Sequence, residues 1–257
     1  MKTTHGFTLV ELAIVLIIVA LLLGTGLTLF SAQQEQRRIE DTNARLSDAR
    51  EALIGFAIAN GRLPCPASAT SNGVESYVGV VGGSSCTNFY NGFLPAATLG
   101  LTPADSQGYA INAWSNRIRY AVTQWSNASP VVSNVFTTTN GMSTVGISNL
   151  APDLQVCSTT TGISGSPSSC ASGPPSTSLA SNGVPAVIYS TGKNGASGGT
   201  GADETENPNP NSADNDRIFV SHTLAPTGAT GGEFDDQLIW LSSYTLYNRM
   251  VQAGKLP

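Results

Sequence analysis

Apolar positions are spread very unevenly along this chain. From Phe7 to Phe30 they form a run of 24 residues, broken by Glu11 and by a few small or hydroxyl residues, and Leu12 to Leu23 contains no polar side chain. As a helix such a run is about 36 Å long, enough for a bilayer core of roughly 30 Å. It predicts a transmembrane helix half over 7–30. The polar continuation from Ser31 holds no Pro or Gly until Gly55, so the helix is expected to run on. Ile39, Leu46 and Leu53 recur every seven residues, and Ala49, Ala52, Phe56 and Ala57 widen that stripe. Glu35, Arg38, Asp41, Arg45, Asp48 and Glu51 lie opposite, several spaced to pair along the helix. This predicts an amphipathic half over 31–60. Asn60-Gly61 is the stop, and Pro64 and Pro66 prevent continuation.

The pattern changes character after residue 60. Ser76 to Val81 is a short strand candidate, and residues 91–114 read as a packed loop with spaced apolar anchors. Arg117 to Trp125 alternates as a strand, with Val131 to Phe136 as a pairing candidate. Residues 137–183 are rich in Ser, Thr and Gly and read as an irregular insertion. Gly183 to Ser190, Arg217 to Ser221 and Gln237 to Leu241 are further strands. Ser242 to Ala253 is a closing helix with Ser242 as cap, Leu246 and Met250 on its apolar face and Gly254 as stop. The expected class is α+β: a long N-terminal helix packed on a C-terminal antiparallel sheet head, residues 61–257, with long irregular loops.

The first six residues, Met1 to Gly6, carry Lys2 and His5, and no positive residue follows until Arg37. That asymmetry places the N-terminus in the cytoplasm and the head outside it. A secretory signal peptide fits poorly, because the apolar run leads into more helix rather than a cleavage site and loop. A plain anchor leaves Glu11 unexplained, since a carboxylate in an apolar segment is costly. Gly6-Phe7-Thr8-Leu9-Val10-Glu11 followed by the apolar stretch resembles the class III leader of type IV pilins and type II secretion pseudopilins. The resemblance implies a leader over 1–6, cleavage after Gly6 and methylation of Phe7 by a prepilin peptidase, and assembly determinants at Phe7 and Glu11. Glu11 would neutralise a neighbour's methylated ammonium in the apolar core of a filament. Where family members commonly have a proline midway through the membrane half, this chain has Thr28.

Twelve basic and 17 acidic residues give a net charge of −5, and only Arg37-Arg38 stand adjacent, so nucleic acid is not an expected partner. The expected partners are the peptidase, other pilin or pseudopilin subunits and an assembly platform in the bacterial inner membrane. Cys65, Cys86, Cys157 and Cys170 are the only cysteines. In an oxidising periplasm two disulfides are expected; proximity favours Cys65–Cys86 and Cys157–Cys170 among three possible pairings. Without any CxxC pair, zinc is a poor alternative. Behind the leader His222 is the sole histidine, and no HExxH or phosphate-loop pattern occurs. The chain reads as an enzyme's substrate and not as an enzyme.

Ser190-Thr191-Gly192-Lys193-Asn194-Gly195 leads into an acidic loop with Asp203, Glu204, Glu206, Asp214 and Asp216, and Asp235-Asp236 follow. This order is similar to the calcium-binding C-terminal region of major pseudopilins, although the Pro208 to Asn211 segment interrupts it. Calcium takes six to eight oxygen ligands, which carboxylates and loop carbonyls supply. A solvated acidic loop, neutralised by Lys193 and Arg217, is the competing reading. The functional expectation is a single-pass inner-membrane subunit of a type IV pilus or secretion pseudopilus, assembled through its N-terminal helix. The alternative is a membrane-anchored, non-polymerising periplasmic binding or adhesion module.

Overall fold

The computed structural model describes residues 8–79, 83, 85–165, 168–170, 178–180, 183–195, 199–208 and 217–257, apart from the side chains at 22–30, 164–165 and 168. The chain divides into two units, Met1–Asp41 and Thr42–Pro257. Helix α1 (Leu9–Asn60) supplies the described part of the first, and its turns from Thr42 onward belong to the second.

The expected membrane-spanning half is corrected here. Among the described residues no helix is long and apolar enough to cross a membrane. Phe7 and the side chains of 22–30 lie outside the described residues. The single-pass inner-membrane topology, and assembly through a membrane-embedded helix, lose their basis with it.

In the second unit α1 buries one stripe. Leu46, Ala49, Leu53 and Ala57, spaced three and four apart, are wholly buried, whereas Ala52 and Phe56 sit at its margin. Thr42 extends the stripe with a hydroxyl that accepts from the Ala113 amide at 3.2 Å. The helix ends as expected: Gly61 adopts φ +68°, and its N–H donates to the Ala57 carbonyl at 2.8 Å.

After α1 the elements are short, in keeping with the abundance of Gly, Ser and Pro. In chain order they are β1 (Gly92–Phe93), α2 (Ala96–Leu99), β2 (Arg119–Val122), β3 (Asn127–Ala128), β4 (Val131–Val132), α3 (Gly141–Val145), a 3-10 turn (Ile147–Asn149), β5 (Gln155–Cys157), β6 (Ser164–Gly165), β7 (Ser168–Ser169), β8 (Ala186–Ser190), α4 (Ala202–Glu206), β9 (Ile218–Val220), β10 (Gln237–Leu241) and α5 (Ser243–Gln252). A four-stranded antiparallel sheet has the order β1-β2-β8-β10. In its register Ile188 of β8 faces Tyr120 on one side and Ile239 on the other. All five residues of β8 are buried, so both its faces are covered. Tyr120, Val122, Val187 and Ile188 share one core with Leu46, Leu53, Leu246 and Met250.

Three local expectations change. Residues 91–114 contain regular structure, β1 and α2, too short for periodicity to register. The candidate strand Ser76 to Val81 is reduced to a single bridge, Tyr77 to Cys86, with 80 and 81 outside the described residues. Val131-Val132 pairs with Asn127-Ala128 across a tight turn and not with β2, because the nearer partner closes a shorter loop. Beyond the main sheet β5 and β9 pair in parallel. Cys65–Cys86 and Cys157–Cys170 are both disulfides, leaving no free cysteine.

Candidate functional site

Two places were singled out by sequence. At the N-terminus, Gly6 and Phe7 lie outside the described residues. Immediately after them, Thr8 and Glu11 form a reciprocal cap on α1. The Thr8 amide and hydroxyl donate to Glu11 Oε2 at 2.8 and 2.9 Å, and the Glu11 amide donates to Thr8 Oγ1 at 3.3 Å. This is the Thr-x-x-Glu capping box, which satisfies amides that the first helical turn leaves without partners. The Thr8 amide, followed by its hydroxyl, lowers the Glu11 carboxyl's pKa. Glu11 therefore has a local role that the sequence reading missed, although the spacing ahead of an apolar run announces it.

The second place is in the head. Glu204 of α4 and Asp235-Asp236, just before β10, bring three carboxylates together with oxygens within 4.8 Å of one another. Glu204 and Asp236 are buried and Asp235 half-buried. Around them the chain aims donors inward. The Lys193 and Asn194 amides donate to Asp235 Oδ2 at 2.8 and 3.1 Å. The Asn194 side chain and the Asp235 amide donate to Glu204 Oε1 at 2.8 and 3.3 Å, and the Thr200 amide to Glu204 Oε2 at 3.2 Å. Asn207 Nδ2 donates to Asp236 Oδ2 at 2.7 Å. The turn can approach because Gly192, at φ +53°, lacks a Cβ that would collide with the Asp235 carboxylate; at Gly199 a Cβ would strike Glu204.

Three carboxylates in one buried space resist simultaneous ionisation. Burial pushes Asp236 up to about 8. Burial, and then the hydrogen bond with Glu204, raises Asp235 to about 6. Burial opposes ionisation of Glu204 as well, but hydrogen bonds from Asp235 and Asn194 outweigh it and hold its pKa down. Asp235 Oδ1 and Asp236 Oδ1 are buried and meet no hydrogen-bond donor. An all-oxygen donor set with two such orphaned atoms fits a hard cation.

The cluster is narrower than the set expected from sequence. Asp203, on the same short helix, turns away: its Oδ1 accepts from the Thr160 amide and hydroxyl at 2.7 and 2.6 Å and from Thr159 Oγ1 at 3.0 Å. Its other oxygen lies 3.3 Å from His222 Nε2, whose ring stacks on Phe234. Glu206 does not join the three carboxylates. Asp214 and Asp216 lie outside the described residues. The expected neutralisers are placed elsewhere too, since Arg217 pairs with Asp153 at 3.1 Å and Lys193 contributes its amide. Asn207 was missed altogether. It is completely buried and also exchanges two hydrogen bonds with the Val220 backbone, at 2.7 and 3.0 Å. Nothing in the Asn207-Pro208-Asn209-Pro210 stretch distinguishes it from a loop asparagine.

Residues 1–27 match the family model of the prokaryotic N-terminal methylation motif. The N-terminus is therefore of the prepilin type. No curated protein and no solved structure matches the chain.

Proposed function

We propose that this chain, with its prepilin-type methylation motif, is a pilin-like structural subunit that serves as substrate for a prepilin peptidase and has other pilin-like subunits as partners. The observation that carries this reading is the motif match over residues 1–27. Cleavage after Gly6 exposes the Phe7 amine for methylation, one residue ahead of the Thr8–Glu11 cap. The disulfide-bonded head is structural and has no catalytic role. Intact-mass and N-terminal peptide analysis of protein from cells with and without the peptidase tests the proposal. A mass lacking residues 1–6 and carrying one methyl group on Phe7 is expected; retention of Met1 to Gly6 in peptidase-positive cells overturns it.

The two orphaned carboxylate oxygens support a second reading of the head. Glu204, Asp235 and Asp236 hold Ca²⁺, with loop carbonyls and water completing its shell. The ion would supply charge neutralisation to a buried acidic cluster and would hold α4 against the turn before β10. Calcium titration of the chelator-treated full chain should raise its melting temperature, and Glu204→Gln should abolish the increase. A melting temperature indifferent to calcium at about 1 mM, at the weak end of calcium sites, removes this reading.

A further inference from the structure

We propose, building on the calcium reading of the acidic site, that α4 clips this site to the disulfide loop 157–170, so that a cation held by Glu204, Asp235 and Asp236 and the Cys157–Cys170 bridge each strengthen the other. Helix α4 has five residues, well short of the roughly 12 that an isolated helix needs. It is therefore held in place by what its side chains reach, and they reach in three directions. Glu204 joins the carboxylates before β10. Its neighbour Asp203 reaches back to the disulfide loop, where the Thr160 amide and the Thr159 and Thr160 hydroxyls donate to its Oδ1. Asn207, just past the last turn, reaches β9.

The Asn207 amide group can lie only one way round. Its Oδ1 accepts from the Val220 amide at 2.7 Å, while Nδ2 donates to the Val220 carbonyl at 3.0 Å and to Asp236 Oδ2 at 2.7 Å. Turned over, it would set donor against donor and acceptor against acceptor. Asp236 Oδ2 is thereby engaged, and Oδ1 is the buried atom left without a donor. Val220 stands opposite Cys157 in the parallel β5–β9 pair, and the Ser221 amide donates to the Cys157 carbonyl at 2.9 Å. The Cys170 amide donates to Gln155 Oε1 at 3.1 Å, so both bridged cysteines are anchored on β5. One path thus runs from the carboxylates through Asn207 and Val220 to Cys157, and another through Asp203 to Thr160. With the bridge closed, Thr159 and Thr160 are fixed and α4 is preset to aim Glu204. With the bridge open, that order has to be supplied when the ion binds, which weakens affinity. Linkage makes the effect reciprocal, and the ion must favour the oxidised bridge by the same factor.

Calorimetric calcium titration of the chelator-treated full chain, and thiol–disulfide equilibration of the same protein with dithiothreitol, test this. Cys157→Ser combined with Cys170→Ser is expected to weaken calcium binding about tenfold, within the usual range of coupling between sites. Asp203→Ala, which cuts the clip and leaves the bridge intact, should weaken it likewise, whereas Cys65→Ser combined with Cys86→Ser should not. The reciprocal measurement needs no variant. Saturating calcium should raise about tenfold the ratio of reduced to oxidised dithiothreitol that half-reduces Cys157–Cys170, and leave that for Cys65–Cys86 unmoved. Calcium affinity equal in all variants, or a ratio that calcium shifts for both bridges alike or for neither, overturns the coupling and leaves the calcium reading standing. A wild-type chain that binds no calcium up to about 1 mM removes the calcium reading and the coupling together.

Discussion

Arg62 holds Glu75 through two parallel hydrogen bonds, Nη1 to Oε2 at 2.8 Å and Nη2 to Oε1 at 2.9 Å, in the turn that follows α1. Both side chains are about nine-tenths buried, and Glu75 Oε2 also accepts from the Cys65 amide. Burial alone would raise the Glu75 carboxyl, but hydrogen bonding from Arg62 and the pair's charge attraction lower it overall. A carboxyl depressed in the folded state stabilises fully above its unfolded pKa, and loses that contribution as pH falls through the folded value. The difference between the urea midpoints of the wild type and a Glu75 variant should therefore hold steady down to about pH 5 and then shrink through the carboxylate range, while the raised Asp235 and Asp236 make both midpoints fall as pH rises towards 8. Glu75→Ala should cost about 3 kcal/mol at neutral pH, because it leaves a buried guanidinium unpaired. The variant should also flatten the acid side of the profile.

Asn207 is the least obvious stability determinant in the head. Its amide satisfies the Val220 N–H, the Val220 carbonyl and one Asp236 oxygen, all of them buried. Asn207→Leu should destabilise by about 3 kcal/mol, since several buried polar groups lose their partners at once. Chemical denaturation of the calcium-free protein measures this apart from any metal effect.

The disulfides should survive as independent units. Non-reducing peptide mapping is expected to return Cys65–Cys86 and Cys157–Cys170. Replacing either pair by serines should cost about 3 kcal/mol, with the loop enclosed by the first slightly larger, at 21 positions against 13. Reduction that leaves the denaturation midpoint unmoved would contradict the expectation.

Thr8→Val should open the start of α1 without altering the head. Faster hydrogen exchange is expected at the Glu11 amide, which loses the Thr8 hydroxyl as its acceptor. Protection at β8 and β10 should be unchanged.

Legibility in the sequence followed element length. The bounds of β10 and α5 are readable because five to ten residues of regular patterning lie between turn signals. The α1 stripe is readable because Leu46 and Leu53 recur over several turns. Two-residue β1 leaves no period to detect, and parallel β5–β9 joins segments whose partnership depends on tertiary context. The acidic site shows the same limit. The density of carboxylates was visible, yet Asp203 and Glu204 are neighbours that point to different partners, and Asp235 joins from 31 positions away. Thr8 and Glu11 are the opposite case, a short-range capping signature lying directly ahead of a much stronger apolar run. Ser242 is a milder case: it occupies the cap position of α5, but its side chain makes no capping bond.

The two bridges enclose separate stretches of chain, 65–86 and 157–170, and neither loop contains a strand of the four-stranded sheet. Oxidation can therefore proceed in either order, ahead of or behind sheet formation, without committing the chain to a strand order. A cross-linked intermediate joining Cys86 to Cys157 would instead enclose β1, α2 and β2 in one ring. Because loop closure favours near neighbours, the native pairs are also the ones that form fastest in an unfolded chain. The head can thus acquire its covalent staples by proximity, with no isomerase needed to correct them, and the slow step is left to bringing β2, β8 and β10 together across long connections.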